Sequence, residues 1–305
     1  MPAENMSTKD VAEYLGINEK QVYLLIKSKS IPCTRVTGKW VFPKKLIDRW
    51  ITTNAVKNGP FIDEAMKNTT GALFAAGSND PILDILINRM QNGGRGKHIF
   101  SCVTGSTEGV RLLGCGFTDI AWCHLSKPGT GEYDMNAIAE LVPDKKVAII
   151  QLFKRELGFI SLQNSAADKI SFTSIARDGL KFINRQKGSG TRILIEHFIE
   201  SEEIDPGSIK DYNNEVNTHM EAGLNILSGS ADAGVATSSV ARILGLKFQP
   251  LIRESFDMML LQQTFFREEV QMFIETLQSD RFRKMVSLLG NYDFTRSGKI
   301  IYTTG

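Results

Sequence analysis

Three features of the amino-acid sequence predict an α/β protein with a small, mostly helical head at its N-terminus. From residue 71 onward, short apolar runs alternate with amphipathic stretches, the pattern of strands followed by helices and of a largely parallel sheet. Before that point, residues 6–51 contain short helical patterns separated by a glycine turn. Charge divides at the same place. Residues 1–57 hold eight Lys and two Arg against two Asp and three Glu, a surplus of five; with +2 for the whole chain, the remainder stands at −3. A basic head on a mildly acidic body is the electrostatic footprint of a nucleic-acid-binding module.

At 305 residues the chain is long enough for two or three domains. With 42% hydrophobic and 23% charged residues, its composition is that of an ordinary globular protein. No apolar run approaches the roughly 18 residues of a membrane span, and the opening MPAENMSTKD lacks the basic and apolar regions of a signal peptide. The expectation is a cytoplasmic protein without a membrane partner. Cys33, Cys102, Cys115 and Cys123 are scattered without CxxC spacing, which indicates neither a disulfide framework nor a zinc site.

In the head, Ser7 or Thr8 caps a helix whose apolar face is Val11, Ala12 and Leu15, and Gly16 stops it. Asn18 caps a second helix, residues 19–29, with Val22, Leu25 and Ile26 inward. Two short helices around such a turn form a helix-turn-helix, whose second helix can enter a major groove. Residues 34–42, broken by Thr37, Gly38 and Lys39, read as a hairpin with a basic tip. A third helix over residues 45–51 would bring Trp50 to a very small core. Residues 58–69 read as a linker, with a short apolar helix over 61–66.

The stretch STKDVAEYLGINEKQVYLLIKSKSIPCTRVTGKWVFPKKLIDRWI, residues 7–51, closely resembles the excisionase and MerR-like winged helix-turn-helix domains. By that resemblance Lys20, Gln21, Tyr23 and Lys27 face double-stranded DNA, and Lys39 and Arg35 on the wing meet phosphate. Gln21 is the residue suited to a base edge, while the lysines supply sequence-independent attraction.

The body is organised around FINRQKGSGTR, residues 182–192. An apolar strand ends at Asn184 and Arg185, and Gly188, Ser189, Gly190 and Thr191 open an amphipathic helix carrying Ile195, Phe198 and Ile199. Glycines allow close backbone approach, the first helical amides have no internal acceptor, and the helix dipole is positive there, so this turn can cradle an anion. Arg185 or Arg192 can add charge. Ser189 or Thr191 can equally serve as a plain helix cap. The same device occurs twice earlier. Strand 72–76 runs into Gly77 and Ser78 before a helix begun by Pro81, and strand 98–103 runs into Gly105 and Ser106 before a helix holding Val110 and Leu113. Ligands of open α/β sheets bind beyond the carboxyl ends of strands, so the three turns can converge on one site. Further strands are expected at 120–123, 147–153, 233–236, 248–252 and 256–261, with closing helices at 268–277 and 279–289.

The segments AGSNDPILDIL, GSTEGVRLL, KRELGFI, FINRQKGSGTR, NTHMEAGLNILSGSADAGVA and FQPLIRESFDMML resemble the periplasmic-binding-protein-like domain often fused to a helix-turn-helix. That likeness implies a two-lobed, class II fold with the ligand between the lobes. The implied division is a head at 1–57, a linker at 58–69 and a body at 70–305, with lobe I at about 70–153 and 250–305 and lobe II at about 154–249. The superfamily includes molybdate- and tungstate-binding proteins, which makes Ser78 and Ser106 donors from lobe I and Arg185, Gly188, Ser189, Gly190 and Thr191 the counterpart in lobe II.

His98, His124 and His197 lie apart and show no metal spacing; Thr218 and His219 follow a polar turn and are candidates to line the cleft, although a lone His reads more readily as a structural hydrogen-bond partner. GSGTR lacks the Lys of a Walker motif, and no GxSxG elbow or HExxH appears. The resulting expectation is a non-enzymatic, DNA-binding regulator that senses an oxyanion, works as a homodimer and needs no cofactor or metal. The alternative is an enzyme acting on a phosphorylated or anionic metabolite in the same cleft.

Overall fold

A computed structural model describes residues 5–28, 30–56, 72–92, 97–125, 133, 135–143, 145–165 and 169–304. The expected linker at 58–69, its short helix, Lys29 and the loop at 127–132 lie outside these. The chain divides into two compact units, Met1–Glu64 and Ala65–Gly305.

The head contains β1 (Asn5–Met6), α1 (Thr8–Leu15), α2 (Glu19–Lys27), β2 (Thr34–Val36), β3 (Lys39–Pro43) and α3 (Lys44–Val56). Reciprocal capping boxes start the first two helices: Ser7 with Asp10, and Asn18 with Gln21. Gly16, at φ 66°, ends α1 in the left-handed conformation. Thr37 and Gly38 also have positive φ, 48° and 83°, as a two-residue hairpin turn between β2 and β3 requires. The three strands pair in the order β1-β3-β2. Val11, Val22, Phe42 and Ile47 form the fully buried centre. Trp50 lies against it and donates its indole N–H to the Ser30 carbonyl.

The body begins with β4 (Ala72–Gly77), α4 (Pro81–Gln91), β5 (His98–Val103), α5 (Ser106–Gly114), β6 (Ile120–Cys123) and α6 (Met135–Leu141). After β7 (Val147–Ser161) come α7 (Phe172–Arg177), β8 (Phe182–Arg185), α8 (Gly190–Ser201), β9 (Glu215–Val216), α9 (His219–Leu227), β10 (Ala233–Thr237) and α10 (Ser238–Ile243). The long β11 (Lys247–Leu261) leads to α11 (Glu268–Gln278), α12 (Asp280–Val286) and β12 (Lys299–Thr303). One nine-stranded sheet runs β5-β4-β6-β11-β7-β10-β8-β9, with β12 also on β7.

The sheet is parallel only at its flanks, where β4 pairs with β5 and β6, and β8 with β9 and β10. Its centre is antiparallel, which corrects the largely parallel expectation. The reason is β7 and β11. Each is a 15-residue strand, and their pairing extends from Val147 and Leu261 to Ser161 and Lys247. One carries the chain out of the first lobe and the other brings it back, so the two must run in opposite directions. By apolar pattern alone β7 ends at Phe153 and β11 divides in two, because charged residues interrupt both runs. Those charges face each other across the ladder, Arg155 opposite Glu254 and Glu156 opposite Arg253. The terminal strand β12 was also not expected.

Each lobe packs helices on both sheet faces. In lobe I, Trp122, Phe153, Phe256 and Phe273 join one cluster, and Val110, Ala121 and Ile149 the other. Lobe II has Phe159, Phe172, Phe182 and Ile195 on one side and Ile160, Ala222 and Val240 on the other. A fully buried Phe stabilises a fold by roughly 1.5–3 kcal/mol. Arg155, at 1% exposure on the crossing strand, is therefore a costly occupant of such a core unless its charge is compensated.

Candidate functional site

The three hydroxyl-bearing turns meet at the interface of the lobes. The amides of Thr104 and Gly105 donate to the Gly77 carbonyl at 2.9 and 3.0 Å, which ties the two lobe I turns together. The Thr107 amide reaches the Gly188 carbonyl at 3.4 Å, joining lobe I to lobe II. Gly188 has φ 80°, a conformation that a side chain would strain. Gly190 is glycine for space: a Cβ there would sit 2.1 Å from His124 Nε2.

Within this cleft the candidate residues differ in state. Ser189 does cap α8, its hydroxyl accepting the Arg192 amide at 3.1 Å. Thr191 is fully buried, and its Oγ1 has no hydrogen-bond partner among the described residues. Ser78 is buried at 5% exposure and Ser106 at 0%. The Ser106 hydroxyl accepts the His124 amide at 3.3 Å. Arg192 is spent on structure, bonded to Glu196 at 2.7 Å and Glu215 at 2.8 Å.

Arg185 and Arg155 carry the electrostatics. Arg155 bonds Asp80 at 3.0 Å, Glu254 at 2.7 Å and the Asn79 carbonyl at 2.8 Å. Burial opposes its charge, but Glu254 and Asp80 outweigh that and hold its pKa above the ordinary value. Arg185, at 2% exposure, donates to the Asn217 carbonyl at 2.8 Å, to the Val216 carbonyl and to Gln186 Oε1 at 3.3 Å, and to His219 Nδ1 at 2.9 Å. Among the described residues it forms no ion pair. Burial first, and Arg155 second, push its pKa down to about 9; Glu254 and Glu221 act on it only through space. It remains a guanidinium at neutral pH.

Arg155, Glu254 and His124 are not among the cleft candidates by sequence, whereas His219 is one that reads there more readily as a structural partner. Burial and the two arginines hold both imidazoles well below the usual histidine pKa. Their Nε2 atoms are buried without a hydrogen-bond partner among the described residues, as is Asn79 Oδ1. A signal for His124 was present, since it follows β6 directly and so occupies a strand end like Ser78. Arg155 announced itself only as a charge inside an apolar run.

The head's candidates lie on α2 and the hairpin. Lys20, Tyr23 and Lys27 are exposed on α2, and Lys39 at the start of β3. None of these lysines forms an ion pair among the described residues. Gln21 is partly committed, because its Oε1 accepts the Asn18 amide at 3.1 Å. Arg35 is occupied locally, bonded to the Gly38 carbonyl at 3.2 Å with its guanidinium 5.6 Å from the Trp40 ring centroid.

A family model described as PBP superfamily domain matches residues 87–278. This chain belongs to the PBP superfamily. A second model, helix-turn-helix domain, matches residues 6–55. The PBP-superfamily body and the helix-turn-helix head together fit a ligand-binding, DNA-binding regulator. YvgK, an uncharacterized protein of Bacillus subtilis (strain 168), is 25% identical over 303 residues, with 97% of each chain covered. A substrate-binding protein with bound phosphate from Clostridium perfringens has 11% identity and a TM-score of 0.56, covering 71% of this chain and 96% of that one. The tungstate ABC transporter structure from Geobacter sulfurreducens has 13% identity and a TM-score of 0.53, covering 71% and 97%. At these identities the solved structures establish a shared fold. Among the described residues, no helix is long and apolar enough to cross a membrane, and no group of three His, Cys, Asp or Glu side chains is placed to hold a metal.

Proposed function

We propose that this chain is a cytoplasmic transcriptional regulator, homodimeric on double-stranded DNA, whose interlobe cleft senses a small tetrahedral oxyanion, molybdate or tungstate. Arg185 carries this reading. Among the described residues it is a buried guanidinium held by neutral acceptors alone. Burying a charge without a counter-ion costs several kcal/mol, and an anion in the cleft removes that cost. In this reading Ser78, Ser106 and Thr191 offer hydroxyls, while Gly188, Ser189 and Gly190 present the first turn of α8 with its unpaired amides and positive dipole end. Such donors replace the hydration that a dianion loses on entering.

Direct contact between the lobes supports a small ligand. With Gly190 against His124 and the Thr107 amide on the Gly188 carbonyl, the closed cleft suits an inorganic ion better than a larger metabolite. Donors from both lobes make closure depend on the anion, and closure about β7 and β11 is the shape change that can alter DNA binding. The proposed division remains a head at 1–57, a linker at 58–69 and a two-lobed body at 70–305, lobe II spanning about 154–249.

Calorimetry of the full chain with sodium molybdate, tungstate, sulfate and phosphate tests the reading. Molybdate or tungstate should bind, and at about 100 times the dissociation constant should add about 2.7 kcal/mol of stability. Binding of phosphate alone would correct the ligand; binding of none would remove the oxyanion reading.

A further inference from the structure

Two buried histidines present one ring nitrogen to an arginine and leave the other unmatched. His219 Nδ1 lies 2.9 Å from Arg185 Nη1, and a guanidinium nitrogen can only donate. The ring nitrogen must accept, which places the imidazole proton on Nε2. His124, on the other lobe, repeats the arrangement. Its Nδ1 lies 3.4 Å from Arg155 Nη2, which can only donate, so its proton also belongs on Nε2; the Ser106 hydroxyl, 3.3 Å from the same nitrogen, fits either tautomer. Both Nε2 atoms are buried, His219 at 0% and His124 at 6% exposure, and have no hydrogen-bond partner among the described residues. A buried N–H without an acceptor is costly, and two of them beside one uncompensated guanidinium mark the place of an acceptor.

We propose that His219 and His124 are ligand-binding residues that meet the anion as neutral imidazoles, each donating its Nε2–H, with Arg185 and Arg155 fixing the tautomer. The inference rests on the reading that this cleft holds an oxyanion. It adds two residues from opposite lobes, and it specifies that they recognise the ligand by hydrogen bonds rather than by charge.

The surrounding groups keep the rings neutral. His219 faces Arg185 from β8, with Arg155 and His124 also within electrostatic reach. The acid on its own helix, Glu221, is engaged by the amides of Asn217 and Thr218 at 2.8 and 2.9 Å. His124 faces Arg155 and Arg185, and Asp80 lies behind Arg155. Glu254 Oε2 is 3.9 Å from His124 Nε2, beyond hydrogen-bond distance, while Glu254 Oε1 is bonded to Arg155 at 2.7 Å. Protonating either Nδ1 would set two donors against each other at the arginine contact.

An anion site built on imidazolium loses about tenfold in affinity for each pH unit above the histidine pKa, whereas a neutral donor does not. Calorimetry with sodium tungstate and molybdate, which keep their charge between pH 6.5 and 8, should give dissociation constants within about threefold across that range. His219→Phe should weaken binding at least about tenfold, while His219→Gln, which retains a neutral N–H donor, should stay within about threefold. Nitrogen-15 NMR of the histidine rings in the anion-free wild type provides a readout independent of those variants. It should show the neutral Nε2–H tautomer for both residues at pH 6.5.

A tenfold loss per pH unit, or an imidazolium or Nδ1–H signal at that pH, would overturn the neutral-donor assignment. Tungstate bound equally well by His219→Phe would overturn the ligand role of His219 and leave the oxyanion reading intact. Wild-type protein that binds neither anion would overturn that reading, and the ligand role of both histidines with it.

Discussion

On α2 of the head, Lys20, Tyr23 and Lys27 stand exposed to water, whereas Arg185, Thr191 and His219 of the body are almost sealed from it. The difference sets how each region gains affinity. An exposed lysine draws on screened attraction and counter-ion release, so its contribution is modest and falls with salt. A buried donor already bears the cost of desolvation before the ligand arrives, and each bond formed to it recovers part of that cost. Single substitutions in the cleft should therefore matter far more than single substitutions on the head.

The most severe test of this contrast is Gly190→Ala. Its methyl carbon would lie 2.1 Å from His124 Nε2 and 2.7 Å from the His124 carbonyl oxygen, so the lobes could not close. Oxyanion affinity by calorimetry should fall more than about a hundredfold, roughly 2.7 kcal/mol. Arg185→Ala should approach the same loss of affinity, because it removes the guanidinium that the anion compensates. Next is Thr191→Val. It removes an acceptor-seeking hydroxyl and should cost about 1–3 kcal/mol of binding. The melting temperature should hold or rise, because that hydroxyl has no hydrogen-bond partner among the described residues.

Acid titration sharpens the contrast from the body's side. Burial lowers the His219 pKa in the folded protein, so the stability linked to its neutral form is complete above the unfolded value near 6.5 and is lost as pH falls through it. Below pH 6.5, wild type should lose stability relative to His219→Gln by up to about 1.4 kcal/mol per pH unit in denaturant titrations. Parallel curves for the two proteins would contradict the buried neutral ring.

The smallest effects belong to the head. Lys20→Ala, Lys27→Ala and Lys39→Ala should each reduce the salt dependence of DNA binding by roughly one counter-ion and leave stability within about 0.5 kcal/mol. A loss comparable to that of Arg185→Ala would mean that the head, too, relies on a preformed and desolvated contact.

What the sequence determined by itself was everything with a local cause. Caps at Ser7 and Asn18, the Gly16 stop and the Thr37–Gly38 turn follow from neighbours within a few residues, and each stands in the structure where the pattern placed it. The strand ends at Ser78, Ser106 and Ser189 were legible for the same reason. Tertiary structure decided the rest. Charges inside β7 and β11 look like interruptions until Arg155 meets Glu254, 99 residues away, and the two runs become continuous crossing strands. Arg185 and Arg192 looked interchangeable. Only the fold assigns Arg192 to Glu196 and Glu215 while leaving Arg185 without a carboxylate partner among the described residues. His124 and His219 stand 95 positions apart and show no ligand spacing, yet each receives an arginine N–H in one cleft. Secondary structure arises from contacts a few residues apart, which a pattern can record. Whether a buried charge is matched depends on groups brought together by long-range packing, and no local pattern contains that information.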